Sequence, residues 1–199
     1  MNLLAHAHLS FQHDEILVGN MISDFVKGKK RYDYSPGIQN GIELHRRIDA
    51  FTDSHSITGE AKKYFKNTVG TYSGAFTDVA YDHFLANDPN EFSNESLQVF
   101  ADYVYATLEK YKEVLPSKFA AMLPYMKQQN WIYNYKNVTG IERSFEGIVK
   151  RAVYLNESKP AFHVFIEYCD TLRPLYAKFF PDLKQFAFEQ LQTLLIQTQ

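Results

Sequence analysis

The sequence predicts an all-α protein, a single-domain helical bundle, on three observations. Apolar residues recur at intervals of three and four far more often than they alternate at two, which is the spacing of a buried helix stripe. Helix-starting pairs such as Ser35-Pro36 and Leu115-Pro116 punctuate those stripes. At 199 residues and 45% hydrophobic composition, the chain is long enough to bury one sizeable core. Residues 1–199 are therefore read as one domain.

The elements follow in order. Ile16, Leu17, Met21, Ile22, Phe25 and Val26 make a first stripe, ended by Gly28-Lys29-Lys30-Arg31. Ser35 and Pro36 supply an N-cap and a first-turn proline for a helix through Ile38, Ile42, Leu44, Ile48 and Phe51. Asn67 to Gly70 reads as a helix end, with a new helix resuming before Asp78 and continuing to about Ala86, and Asn87 to Asn90 as a turn. Ser93 and Ser96 open a helix through Leu108, and Pro116 starts another. An aromatic stretch, Trp131, Tyr133 and Tyr135, precedes an amphipathic helix from Glu142 to Val153. Pro160, Pro174 and Pro181 are expected to start, interrupt or kink the C-terminal helices.

Composition narrows the function classes. A net charge of −2 and a pI near 6.4 argue against a protein built to bind nucleic-acid backbone. Cys169 stands alone, so no intrachain disulfide forms and the reducing cytoplasm is the expected compartment. The N-terminus has no basic region followed by an apolar run, and no stretch reaches the ~18 apolar residues of a membrane span. No membrane partner is expected.

Chemistry concentrates in residues 1–90, leaving 91–199 as helical scaffold and candidate substrate wall. His45, Asp49 and Asp53 form H-x3-D-x3-D, and residues four apart on a helix share a face. Asp78 and Asp82 repeat that spacing, with His83 alongside. Two such faces can enclose a divalent cation. His6, His8, Asn20 and Asp24 complete the polar set, Asp24 lying among apolar neighbours that favour burial with a partner. Each has a plainer reading: a core or capping histidine, or an exposed polar stripe with Arg46 and Arg47 in surface pairs. The lysine run after Asp24 reads equally as a solvated loop.

These residues, in this order, resemble the acyl carrier protein phosphodiesterases, also called acyl carrier protein hydrolases. The resemblance rests on Met1 to Leu9, Gly19-Asn20, Asp24 to Gly28, Gly41-Ile42, Leu44 to Asp49, Thr52-Asp53, Asp78-Val79 and Asp82 to Leu85. Beyond residue 90 it is looser, resting on Trp131, Tyr135, Gly147 and Lys150-Arg151. It implies hydrolysis of holo acyl carrier protein to the apo protein and 4'-phosphopantetheine, in the service of lipid metabolism and fatty acid biosynthesis. It also implies a fold distantly similar to the HD-type metal phosphohydrolases and dependence on a divalent ion, manganese favoured over magnesium or iron. A bound cation neutralises a phosphodiester anion and supplies a water of lowered pKa, and mixed imidazole and carboxylate ligands suit those metals.

On that footing Asp24, His45, Asp49, Asp78 and Asp82 are expected to ligate the metal or support it. His83 is the candidate proton donor to the departing serine oxygen, and Arg46 and Arg47 are candidate phosphate contacts. Acyl carrier protein, being acidic, calls for a basic rim, for which Lys27, Lys29, Lys30 and Arg31 after Asp24 are candidates, as are Lys62, Lys63 and Lys66, which continue from the His45 region. Tyr133 and Tyr135 are the candidate wall for the pantetheine arm, Trp131 serving either there or in helix packing. Two alternatives stand beside this reading. One is an HD-type phosphohydrolase of nucleotides or other small phosphodiesters, although Asp82-His83 in the acidic cluster has the reverse of the His-Asp order. The other is a noncatalytic helical module that binds the carrier protein. Oligomeric state is not legible.

Overall fold

In the computed structural model, which describes residues 1–197, every regular element among the described residues is helical. Ten α-helices follow in order: α1 (Leu3–His8), α2 (Asp14–Ile22), α3 (Pro36–Ser54), α4 (Ser56–Val69), α5 (Ser73–Ala86), α6 (Asn94–Lys110), α7 (Ser117–Gln128), α8 (Trp131–Asn134), α9 (Val138–Arg151) and α10 (Lys159–Ile196). Short 3-10 turns join several of them. The fold class read from apolar periodicity is the one observed.

Local signals set most boundaries. Pro36 opens α3, but the Ser35 hydroxyl donates to Glu15 Oε1 at 2.8 Å instead of capping the helix. Gly70, at φ 57°, ends α4 in the left-handed region that a side chain resists. Ser93 and Ser96 form a reciprocal capping box at the start of α6. Of the C-terminal prolines, one starts a helix as expected and two do not interrupt it. Pro160 sits in the first turn of α10, while Pro174 and Pro181 lie inside it without ending it. The stripe Phe165, Leu172, Phe179, Leu183, Leu191 and Leu194 stays buried past both rings, so tertiary packing holds the helix through two missing backbone donors.

The core is strongly aromatic. Phe65, Phe76, Phe145 and Phe165 meet edge to face or tilted at ring-centroid separations of 4.6–6.2 Å, and Tyr81 stacks on Phe179 at 5.2 Å. Most of the phenylalanine excess is thus packing. Long α10 lies along α3, α4, α5 and α9, with Arg47 of α3 donating to Gln190 of α10 at 2.8 Å. No helix among the described residues is long and apolar enough to cross a membrane.

One crossing positions the chemistry. A Cβ on Gly19 of α2 would lie 2.1 Å from the Ile38 carbonyl oxygen, and one on Gly41 of α3 would lie 2.3 Å from that of Ile16. The two backbones therefore touch, which only paired glycines permit.

Candidate metal centre and its groove

The backbone contact between α2 and α3 brings the Asn20 carbonyl to His45, whose Nδ1–H donates to it at 2.7 Å. The Asn20 side chain serves α1 at the same time. Its Nδ2 donates to the His6 carbonyl at 2.8 Å and to Ser10 Oγ at 3.1 Å, leaving Oδ1 to accept from His6 Nδ1–H at 2.8 Å. Both imidazoles thereby carry their fixed proton on Nδ1 and aim Nε2 the same way. The rings stack at 3.9 Å and 15°. Each Nε2 lies 3.1 Å from one oxygen of Asp49, His6 from Oδ1 and His45 from Oδ2.

Charge follows from this crowding. Burial lowers the pKa of His6 to about 4, helped by the neighbouring His45, so this ring is neutral near pH 7. Burial also opposes charge on His45, but the Asp24 and Asp49 carboxylates outweigh it and lift the pKa to about 9. His45 Nε2 is 3.3 Å from Asp24 Oδ1, yet it is buried without a well-directed hydrogen bond. Asp24 is held below its ordinary value chiefly by His45. Burial raises Asp49, but His45, His6 and the Met1 amine more than reverse this and hold it far below the carboxylate range.

His6, His45 and Asp49 offer ligand atoms all within 4.8 Å of one another. Two neutral-capable imidazoles preset by second partners, plus a carboxylate, are a donor set that fits a divalent cation. Asp24 stands beside them, its side chain 79% exposed.

The remaining candidates separate into those nearby and those elsewhere. Asp82 is fully buried and accepts backbone N–H from Asn2 (3.4 Å), Leu4 (2.7 Å) and Ala5 (3.3 Å). Its oxygens accept from these amides and fasten the start of α1, and burial pushes its pKa up to about 7. Asp78 pairs with the Met1 amine at 3.3 Å, which also lies 3.4 Å from Asp49. The second face of the centre therefore belongs to α1, where α5 was expected. His83 Nδ1–H donates to the Tyr135 carbonyl at 2.8 Å, and the ring packs on Phe84 and Phe165. It neither joins the cluster nor lines the groove described below.

His8 pairs with Glu91 at 2.8 Å among Phe92, Phe100 and Phe180, a packing role. Asp53 is exposed and bonded to Lys62 at 2.7 Å. Arg47 bonds Glu43 and, on the side of α3 that meets α10, Gln190, and Arg46 lies outside the groove. Lys29, Lys30 and Arg31 sit in a 3-10 segment off the groove, Arg31 being engaged by Glu43 and Tyr32.

Beside the centre runs a groove of about 1070 Å³. His6, Asn20, Asp24 and His45 line one part, and Met122, Tyr125, Trp131, Tyr135 and the polar face of α9 line another. Trp131 and Tyr135 thus face it. Tyr133 does not; its ring meets Lys136 instead. Sequence reading missed Tyr125 and Arg143, although the polar face of α9 carries Arg143, Gly147 and Lys150 at helical spacing.

Comparison with known proteins places the chain in a family. Residues 1–183 match a family model described as acyl carrier protein phosphodiesterase. A protein of that name from Salmonella agona is 30% identical over 182 residues, which is 91% of this chain and 94% of the relative. Another from Photorhabdus laumondii is 29% identical over 188 residues, covering 94% and 95%. No solved structure matches.

Proposed function

Since the chain belongs to the acyl carrier protein phosphodiesterase family and is by that kinship a phosphoric diester hydrolase, we propose that it hydrolyses holo acyl carrier protein to the apo protein and 4'-phosphopantetheine, with a divalent ion held by His6, His45 and Asp49. The observation that carries the reading is the convergence of two Asn20-preset imidazole nitrogens on one carboxylate beside a groove of about 1070 Å³. When bound, the ion neutralises charge on the phosphodiester and acidifies the attacking water. Manganese suits a set that mixes imidazole with carboxylate, with iron and magnesium the other candidates.

The chain's own residues do the rest. Asn20 holds both rings and fixes their tautomers. Asp49 spans the two rings, and Asp24, ionised and open to the groove, is the group able to orient an attacking water and take up its proton. Trp131 offers an aromatic face to the extended arm and Tyr135, itself buried, forms part of the same wall, the pantetheine amides finding partners among the polar lining groups. A distant kinship to the HD-type phosphohydrolases belongs to the same proposal, supported by the all-helical packing and the histidine–aspartate donors.

The test compares holo acyl carrier protein with a panel of nucleotides, with and without manganese, for the native chain and for His6→Gln, His45→Gln and Asp49→Asn. Metal-dependent release of phosphopantetheine by the native chain, lost with bound manganese in the variants, is expected. Turnover of nucleotides but not carrier protein would overturn the substrate, and native rates in folded variants would overturn the centre.

A further inference from the structure

We infer that the basic edge of α9, formed by Arg143, Lys150 and Arg151, receives an acidic helical surface of the carrier protein while its serine-linked arm lies in the groove. This rests on the function proposed above. All three cations line the same groove as His6, Asp24 and His45, so a protein whose serine is presented at the centre lies within their reach. All are exposed, and none makes an ion pair among the described residues.

Their spacing suits a helical partner. Arg143 and Lys150 are seven residues apart, hence on one face and about 10 Å apart along the axis. Gly147 lies between them, and a Cβ there would meet nothing within 4 Å, so the stretch between the cations is open. Among the described lining residues, α9 adds one acid, Glu146, against three cations. That local excess stands on a chain of net charge −2, which marks the edge as a directed field and not a general property of the surface.

An apolar element adjoins it. Val153 and Tyr154 lie two and three residues past Arg151 and are 79% and 83% exposed. Exposed apolar side chains beside cations are the make-up of a protein interface, where an aromatic anchor is flanked by steering charges. The other basic cluster, Lys29 to Arg31, is off the groove.

Binding is measured with fluorescently labelled apo carrier protein, which lacks the scissile bond, so the result is independent of catalysis. Replacing Arg143, Lys150 and Arg151 together by Gln is expected to weaken binding about tenfold or more at ~0.05 M salt, the difference shrinking towards ~0.5 M as charges are screened. Gly147→Glu puts a carboxylate between the cations at a position with room for it, and should weaken binding while thermal stability is kept or raised. Lys150→Arg with Arg151→Lys should retain affinity, as should Lys29→Gln, Lys30→Gln and Arg31→Gln.

Unchanged affinity in the triple and Gly147→Glu variants overturns the docking edge, and so does tighter binding of a DNA duplex than of the carrier protein. Docking that needs this edge, without phosphopantetheine release from the holo form, would instead overturn the proposed reaction and leave the interface standing.

Discussion

Asn20 orients two imidazoles with one residue, using its carbonyl for His45 and its amide for His6. Asn20→Ala is therefore expected to lower manganese affinity by about 10–100-fold, the usual cost of removing such a partner, in calorimetric titrations of folded protein. His45 gives a pH dependence with a definite sign. Its folded pKa, about 9, lies above the ordinary 6.5, so the proton's contribution to stability is complete below pH 6.5 and is lost as pH rises towards 9. Metal-free protein should lose thermal stability over that window. Manganese must displace the same proton, so its affinity should rise about tenfold per pH unit below 9; a flat profile in titrations from pH 6 to 9 contradicts this. His45 and Asp49 were legible in sequence because residues four apart nearly eclipse on a helix. Asp53 misled: eight residues from His45, it stands about 80° round the axis, and it bonds Lys62. His6 was weakly legible, since a six-residue helix between apolar neighbours carries no pattern that separates a ligand from a core histidine.

Helix contacts decide whether those residues meet. Gly41→Ala would force its methyl to within 2.3 Å of the Ile16 carbonyl, pushing α3 from α2 and stretching the bond from Asn20 to His45. Destabilisation of about 1–3 kcal/mol, read from the denaturant midpoint, should accompany weaker metal binding. Asp82 makes a sharper distinction. If it fastens α1, Asp82→Ala leaves three backbone donors without it and should cost at least about 1–3 kcal/mol even in metal-free protein. Were it a ligand, only the metal-loaded form would lose stability. The helices themselves were largely legible, from apolar periodicity and from caps such as Ser93 with Ser96. The continuity of α10 through Pro174 and Pro181 was not, because a buried stripe settles it and local propensity points the other way. The role of α5 was also hidden: the i, i+4 spacing of Asp78 and Asp82 is the same whether carboxylates face an ion, an amine or a helix start.

The whole molecule joins two unlike halves across one groove. Residues before 90 bring the candidate ligand atoms, while α7 to α9 bring Tyr125, Trp131 and the cations. Trp131→Ala is expected to reduce kcat/KM for holo carrier protein about tenfold with manganese affinity unchanged, whereas loss of both would mean that the ring supports the core. That wall was only partly legible, since Trp131, Tyr133 and Tyr135 look alike in sequence and the short turn of α8 decides which face the groove. The long C-terminal helix carries one more consequence, in time. Every candidate ligand precedes Ser54, yet α3, which carries two of them, is covered by α10, held at Arg47 through Gln190. Synthesis from Ser54 to Ile196, at ~5–20 residues per second, takes on the order of ten seconds. Through that interval the nascent chain holds its complete donor set with the apolar flank of α3 still bare, so a newborn chain can meet an ion, or a chaperone, well before it has a finished fold.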